Sequence, residues 1–548
     1  MQTNIGAMQE RTGAMQTNIG AVREQTGAMQ TYIGAVREQT GDMQTNIGVV
    51  RAVQKQIKMN NRLSPLMFAG TGSDVGKSVI AAAFCRIFKQ DGYSPAPFKA
   101  QNMALNSFAT PEGLEIGRAQ AVQAEAAGVP CHTDMNPLLL KPSADTICQV
   151  VLNGKSIGNQ HAIDYFTSNN KAMLRKEVCA AFDRLNARYN PIVLEGAGSI
   201  SEINLREVDL VNMPMASHAG ASVILVADID RGGVFASVYG SILLLTENER
   251  KLVKGILINK FRGDIRLFES GIKMIEDLCG VPVVGVVPYY HDIHIEEEDS
   301  VMLHTKNRAA TLGKVNIAVV LLQHMSNFTD FNALEHDERV HLYYTNQPAE
   351  ISEADIIIIP GTKNTLHDLQ VLRRDGIALA IIQAHSKGKT VLGICGGYQM
   401  LGRELHDPNH IESNIGLLPG LNLLPISTTL EGEKITRQIN FSFANGETIC
   451  KGYEIHNGRT DILSDVEHLN LLEDGTQDGC IVSNCIGTYI HGILDNSEFT
   501  DYLITPYLTE KSTETFDYFK FKEEQFDKLA DHVRNHVNMD LIYSIIKN

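Results

Sequence analysis

Eight short stretches of this chain lack the alternation of polar and apolar residues that a half-wet strand shows. They are LMFAG (66–70), PIVLE (191–195), ASVILVAD (221–228), VKGILIN (253–259), VPVVGVVP (281–288), VNIAVVLL (315–322), ADIIIIPG (354–361) and KTVLGICGG (389–397). They are rich in β-branched residues, bounded by Gly, Pro or Asn, and separated by helical stretches. Strands of this kind are buried on both faces, which predicts doubly wound α/β sheets of mostly parallel strands covered by helices. A chain of 548 residues is too long for one core. The polar, irregular stretch HDIHIEEEDSVMLHTKNRAATLGK (291–314) divides the strand series in two. This predicts one domain over 63–300, a linker over 301–314 and a second domain over 315–548.

Residues 1–62 have a different texture. The first 56 are a repeat of period 14, beginning MQTNIGAMQERTGA and MQTNIGAVREQTGA. Met, Ile, Met/Val and Thr recur at spacings of 4, 3 and 4, a coiled-coil rhythm. Two glycines per unit oppose a helix, at roughly 1 kcal/mol each. The expectation is a disordered or weakly helical extension, with self-association into a homo-oligomer as the alternative. The net charge of −16 argues against general nucleic-acid or membrane binding. Nine scattered cysteines without a C-x-x-C pair read as reduced thiols, and the absence of a long apolar run predicts a cytoplasmic protein.

The loop AGTGSDVGKSV (69–79) follows the first strand and opens a helix. It is an unusual phosphate loop. Counting back from Gly76-Lys77-Ser78, the position that ordinarily holds the first Gly is Thr71, with Gly70 and Gly72 flanking it. Thr71, Gly72, Val75 and Gly76 would offer backbone N–H groups to an anion at a helix start. Lys77 would reach the terminal phosphates of ATP and Ser78 would ligate Mg²⁺. LEGAGS (194–199) ends a buried strand in Glu195, a second Mg²⁺ ligand if it lies beside that loop. In isolation the same carboxylate reads better as a helix cap or a strand end in solvent. FKAQNMALN (98–106) gathers Lys99, Gln101, Asn102 and Asn106. These donors suit carboxylate or amide recognition, and as an isolated string they make a polar loop.

LGICGGYQMLG (392–402) places Cys395 on a tight strand-to-helix turn. Such an elbow pushes the thiol outward, and the helix N-terminus favours its thiolate. The N–H of Gly396 would serve a developing oxyanion. GTYIHGIL (487–494) supplies His491 as the base that a thiol nucleophile needs.

Loop, elbow and histidine together resemble the cobyric acid synthase family of glutamine-dependent amidases. The resemblance runs from about Leu66 through FKAQNMALNS, EIGRAQA, MNPLLLKP, EGAGS, EINLREVDLVNM, VADIDRGGVFAS, NKFRGD, SNFTDF, PGTKNT, GICGGYQMLG, GYEIHNGRT and GTYIHG. It excludes the repeats. It implies an ATP-binding domain of the dethiobiotin-synthetase type followed by a flavodoxin-like class I glutaminase domain. The implied reaction is the amidation of four carboxylates of the corrinoid adenosylcobyrinic acid a,c-diamide, with L-glutamine as nitrogen donor and ATP and Mg²⁺ as cofactors. The resemblance further implies adenine contacts from Asn259 and Lys260, and an oxyanion donor at Gly361. The implied corrin contacts are Gln101, Asn102, Asp230, Arg231 and the stretch Tyr453 to His456. Glutaminases of the wider class carry Glu two residues after the histidine, but Ile493 stands there in this chain, so the group that orients His491 is open. Two alternatives stand beside this reading. One is a cobyrinic acid a,c-diamide synthase. The other is a non-catalytic partition-type ATPase, against which stand the missing early Lys in Gly70–Ser73 and the intact Cys395 and His491.

Overall fold

The computed structural model describes residues 62–144, 147–161, 171–296, 310–444, 446–508 and 515–547. The repeats, with the disorder or weak helicity expected of them, lie outside these residues, as do positions 301–309 of the expected linker. Residues 64–546 form one compact unit.

Its first sheet has six parallel strands: β1 (Leu66–Gly70), β2 (Ala96–Phe98), β3 (Ile192–Glu195), β4 (Ser222–Asp228), β5 (Val253–Phe261) and β6 (Val283–Pro288), in the order β6-β5-β4-β1-β3-β2. Leu66, Met67, Phe68 and Ala69 are wholly buried, as the unbroken apolar runs require. The chain winds to one side of β1 and then to the other, so the carboxyl ends of β1 and β3 open on a crevice. Helix α1 (Lys77–Gln90) returns over this sheet, with Phe84 4.7 Å from the Phe68 ring centroid. Between β2 and β3 the polar string 98–106 does not stay a loop. It contributes Gln101–Met103 to a four-stranded sheet, and it leads into a hairpin of Ser107–Ala109 and Glu115–Gly117. That hairpin runs straight into helix α2 (Arg118–Ala127).

The second sheet has eleven strands. Its parallel block contains β7 (Val315–Val320), β8 (Val340–Thr345), β9 (Ile356–Ile359) and β10 (Thr390–Ile394), which leads into the short helix α3 (Gly396–Leu401). Past β10 lies Cys485–Thr488, also parallel, and beyond it antiparallel strands extend the sheet. They include the long pair β11 (Ile426–Phe443) and β12 (Ile449–Ile462).

The C-terminal residues also contact the first sheet's half. Residues after 515 touch both halves, with Phe521 4.9 Å from His336. Helix α4 (Tyr518–His536) lies on α1, where Arg86 pairs with Glu523 at 2.8 Å and Asp527 at 2.7 Å. Asn538 N–H then donates to Val284 of β6 at 2.7 Å. Amphipathicity announces that α4 packs on something, but not on which half of the chain. The polar stretch that precedes the linker is anchored, because Glu296 accepts from Arg118 at 2.7 Å.

Candidate functional site

The loop after β1 closes on itself as a phosphate cradle does. Gly76 caps α1 with φ +92°, and a Cβ there would stand 2.2 Å from the Asn259 amide nitrogen, so only Gly fits. Lys77 folds back over the loop and donates to Gly72 O at 2.9 Å and to Gly198 O at 3.0 Å. Thr71 N–H donates to Val226 O at 3.0 Å, tying the loop to β4.

Glu195 stands at the carboxyl end of β3 with 2% of its surface exposed. Ser78 donates to it at 2.8 Å, Lys99 lies 2.9 Å from the same oxygen, and Gln123 donates to the other oxygen at 2.6 Å. Burial raises the carboxyl, but Lys99, Gln123 and Ser78 outweigh burial and hold it below the ordinary range. Glu195 is therefore an anion at the mouth of the loop. Lys99, read from sequence as a substrate contact, is its buried counter-ion, and Gln123 was not anticipated at all. Pairing of β2 with β3 sets Phe98 beside Leu194, which brings the next residues, Lys99 and Glu195, together.

Asn259 donates to Val75 O at 2.9 Å, and Lys260 pairs with Asp228 at 3.0 Å. Both therefore border the loop. Asp230 and Arg231 join the same rim: Arg231 lies 3.5 Å from Asp74, and Asp230 accepts from Arg262 at 2.8 Å. Asn102 is buried and donates to Gln120 at 3.1 Å, bracing α2, while its neighbour Gln101 is half-buried.

In the second sheet Cys395 sits between β10 and α3 with φ +53° and ψ −109°. This strained backbone is the elbow the sequence predicts. The close packing behind it explains the glycines. A Cβ on Gly397 would lie 1.9 Å from Ile359 O. Cys395 N–H is held by Thr488 O at 2.8 Å, and its Sγ lies 3.6 Å from Ile455 O. His491 is 1% exposed and hydrogen-bonds through Nδ1 to Asp330 at 2.7 Å; the other Asp330 oxygen accepts from Gly492 N–H at 3.1 Å. Burial lowers the imidazole, but Asp330, with a further contribution from the adjoining Cys395, reverses that and brings it up to about 10. Cysteine, histidine and aspartate thus form one buried chain. Asp330 is the group that sequence reading left open. It stands in SNFTDF, a motif noted without a role for its acid.

Gly361 borders the same chain: a Cβ on it would stand 3.2 Å from His491 Cε1, and one on Gly396 would stand 3.1 Å from Thr362 N. The backbones of 361–362 and 395–396 therefore converge beside the thiol. The stretch Tyr453 to His456 packs against the histidine and its neighbours. It borders the thiol site. Tyr453 stacks on His491 at 5.2 Å, and His456 stacks on Tyr489 at 3.8 Å. On its other face Tyr453 meets Phe108 of the hairpin at 4.5 Å.

Comparison with known proteins agrees with both halves. The family model described as CobQ/CobB/MinD/ParA nucleotide binding domain matches residues 66–301. The one described as CobB/CobQ-like glutamine amidotransferase domain matches residues 316–499. A protein of Bacteroides fragilis named cobyric acid synthase is 70% identical over 491 residues, which cover 89% of this chain and 99% of that protein. The protein of the same name from Phocaeicola vulgatus is 67% identical over 492 residues, with coverage of 89% and 99%. That of Parabacteroides distasonis is 61% identical over 496 residues, covering 89% of this chain and all of the other. With a nucleotide-binding half, a glutamine amidotransferase half and identity of this extent, the chain belongs to the cobyric acid synthase family.

Proposed function

We propose that the chain amidates the b, d, e and g side-chain carboxylates of adenosylcobyrinic acid a,c-diamide, giving adenosylcobyric acid, at the expense of ATP and glutamine. The observation that carries this reading is the buried Cys395–His491–Asp330 chain, held in one compact unit with the Lys77 loop and Glu195.

A carboxylate does not react with ammonia, because its oxygen is a poor leaving group. Its oxygen attacks the γ-phosphorus of ATP and ADP departs, leaving an acyl phosphate. Ammonia then attacks the acyl carbon and phosphate leaves. Such transfer calls for neutralisation of charge more than for covalent help. Lys77 and the N–H groups of the loop supply it from the protein. The hydroxyl of Ser78 and the carboxylate of Glu195 are hard oxygen donors 2.8 Å apart, a set that fits Mg²⁺. They would hold the ion, which would neutralise phosphoryl oxygens when bound. Asn259 and Lys260 border the cradle where the adenine would lie.

Ammonia comes from glutamine. The Cys395 thiolate attacks the carboxamide carbon, the C–N bond breaks, and His491 gives the leaving nitrogen its proton. Backbone N–H groups of Gly361 and Gly396 stabilise the oxyanion. Water, deprotonated by His491, hydrolyses the thioester to glutamate. Asp330 keeps the imidazole oriented and favours the charged form that it holds before the first step and regains in the second.

Mass spectrometry of adenosylcobyrinic acid a,c-diamide, incubated with the protein, Mg·ATP and glutamine, tests this. The expected product has four hydroxyl groups exchanged for amino groups, and Lys77→Ala abolishes all four exchanges. An unchanged corrinoid mass despite ATP hydrolysis overturns the substrate assignment.

A further inference from the structure

Two imidazoles and a carboxylate meet in the second half of the chain, away from the groups the reaction uses. His324 lies in the loop after β7, and His367 and Asp368 lie in the first turn of the helix Thr365–Arg374. One donor atom from each of the three lies within 4.8 Å of the other two. His324 Nδ1 is 2.8 Å from Asp368 Oδ1, and His367 Nδ1 is 3.8 Å from the same oxygen. The two rings cross at 82° with centroids 5.2 Å apart. Only His324 is close enough to hydrogen-bond that oxygen. His367 Nδ1 is buried and, among the described residues, has no hydrogen-bond partner. A buried ring nitrogen left in this state is costly, and native folds seldom keep one without a ligand to meet it.

The surroundings hold the carboxylate in place. Asp368 is 1% exposed, and its second oxygen accepts from the Thr362 hydroxyl at 2.5 Å and from His324 N–H at 3.2 Å. Oδ1 is left to the two rings. Asn364 caps the helix and accepts from His367 N–H at 3.2 Å, which fixes the backbone of the second histidine. Metal-ligating carboxylates are oriented by outer hydrogen bonds of this kind. In a tetrahedral site with bonds of about 2.0–2.2 Å, neighbouring donors stand about 3.3 Å apart. The contacts of 2.8 Å and 3.8 Å lie on either side of that spacing. The side chains of His324 and His367 are 28% and 42% exposed, so an ion can enter from solvent and keep water as a fourth ligand.

We propose that His324, His367 and Asp368 form a binding site for a divalent transition ion such as Zn²⁺. Two imidazoles beside one carboxylate favour such an ion over Mg²⁺, which prefers oxygen donors alone. The site is therefore distinct in chemistry from Ser78 and Glu195, and it stands whether or not Cys395 is a glutaminase nucleophile. Its position gives it a mechanical consequence. Thr362 donates both to Asp368 and to His324 O, at 3.1 Å, and Lys363 N–H donates to His324 O at 3.0 Å. A bound ion adds a third tie between the loop of His324 and the turn that carries Gly361.

The test is titration of the tag-free, chelator-treated full chain with Co²⁺, in excess Mg²⁺ so that oxygen-only sites stay filled. One Co²⁺ per chain is expected, with the intense visible bands of four-coordinate cobalt, and Zn²⁺ should displace it. Loss of an outer partner alone costs a metal site about 10- to 100-fold in affinity, so His367→Gln and Asp368→Asn, which remove or weaken a ligand, should each cost more than about 100-fold. His367 is half-buried and its Nδ1 carries no hydrogen bond, so His367→Gln reads the site apart from folding. Zn²⁺ should raise the thermal midpoint of the parent protein and leave that of His367→Gln unmoved. Absence of the bands, or only the faint bands of six-coordinate cobalt, overturns the proposal. So does an affinity unchanged in His367→Gln. A sulfur-to-cobalt charge-transfer band would place the ion on a cysteine and overturns it as well.

Discussion

Replacing Asp330 by Asn gives the most direct measure of the thiol site. Asn keeps the size of the side chain and an oxygen for the His491 Nδ1–H, and it removes only the charge. In the parent protein burial disfavours the imidazolium, yet Asp330 and Cys395 bring the group up to about 10. The contact is 2.7 Å long between groups exposed to 1% and 3%. A buried hydrogen bond to a charged group contributes about 1.5–3 kcal/mol. At 1.36 kcal/mol per tenfold, this predicts a roughly 10- to 150-fold fall in kcat with glutamine. The assay follows glutamate release in the presence of ATP and corrinoid, beside amidation driven by ammonium chloride. The ammonia-driven rate should stay within about twofold, because no proposed role of Asp330 touches the nucleotide site. A second readout is alkylation of Cys395 by iodoacetamide at neutral pH. With Asp330 neutral, burial wins, the imidazole loses its proton at lower pH, and alkylation slows as the positive charge beside the thiol disappears. A glutamine kcat within twofold of the parent, or an equal fall in the ammonia-driven rate, would refute the reasoning.

Three further outcomes are expected. Glu195→Gln should abolish amidation from glutamine and from ammonia alike, with Cys395 alkylation unchanged; loss of the buried Lys99–Glu195 ion pair should also cost about 3 kcal/mol, read as a lower thermal midpoint. Gly397→Ala should destabilise by about 2 kcal/mol, because the new methyl group meets the Ile359 carbonyl at 1.9 Å, and a lower urea midpoint would report it. His456 is pushed down to about 4, chiefly by burial, so between about pH 6.5 and 4 the unfolded chain binds a proton that the folded one refuses. Stability therefore falls on acidification through that window, by up to about 3 kcal/mol, and His456→Gln should flatten the dependence of the thermal midpoint on pH.

What could be read from the sequence was chemistry carried by consecutive residues. The loop 69–79 and the elbow 392–402 announce themselves because strand, turn and helix follow one another along the chain. Glycine at 76 and 397 marks places where backbone or amide groups come too close for any side chain. What could not be read depends on strand order and register. Lys99 and Glu195 each follow the last paired residues of neighbouring parallel strands, so their ion pair is dictated by β2 lying beside β3. Without that order Lys99 is one donor in a polar string. Asp330 lies 161 positions from His491 along the chain, and nothing in the spacing of SNFTDF distinguishes its acid from a helix cap. The long hairpin makes the point most sharply. Within the pair 426–443 and 449–462, one register irregularity before Ile435 lets Lys434 reach Glu115 rather than standing in the ladder. A shift of a single residue exchanges the two faces of a strand. Charges brought to a site by such a shift are therefore the ones that a reading of spacing misses.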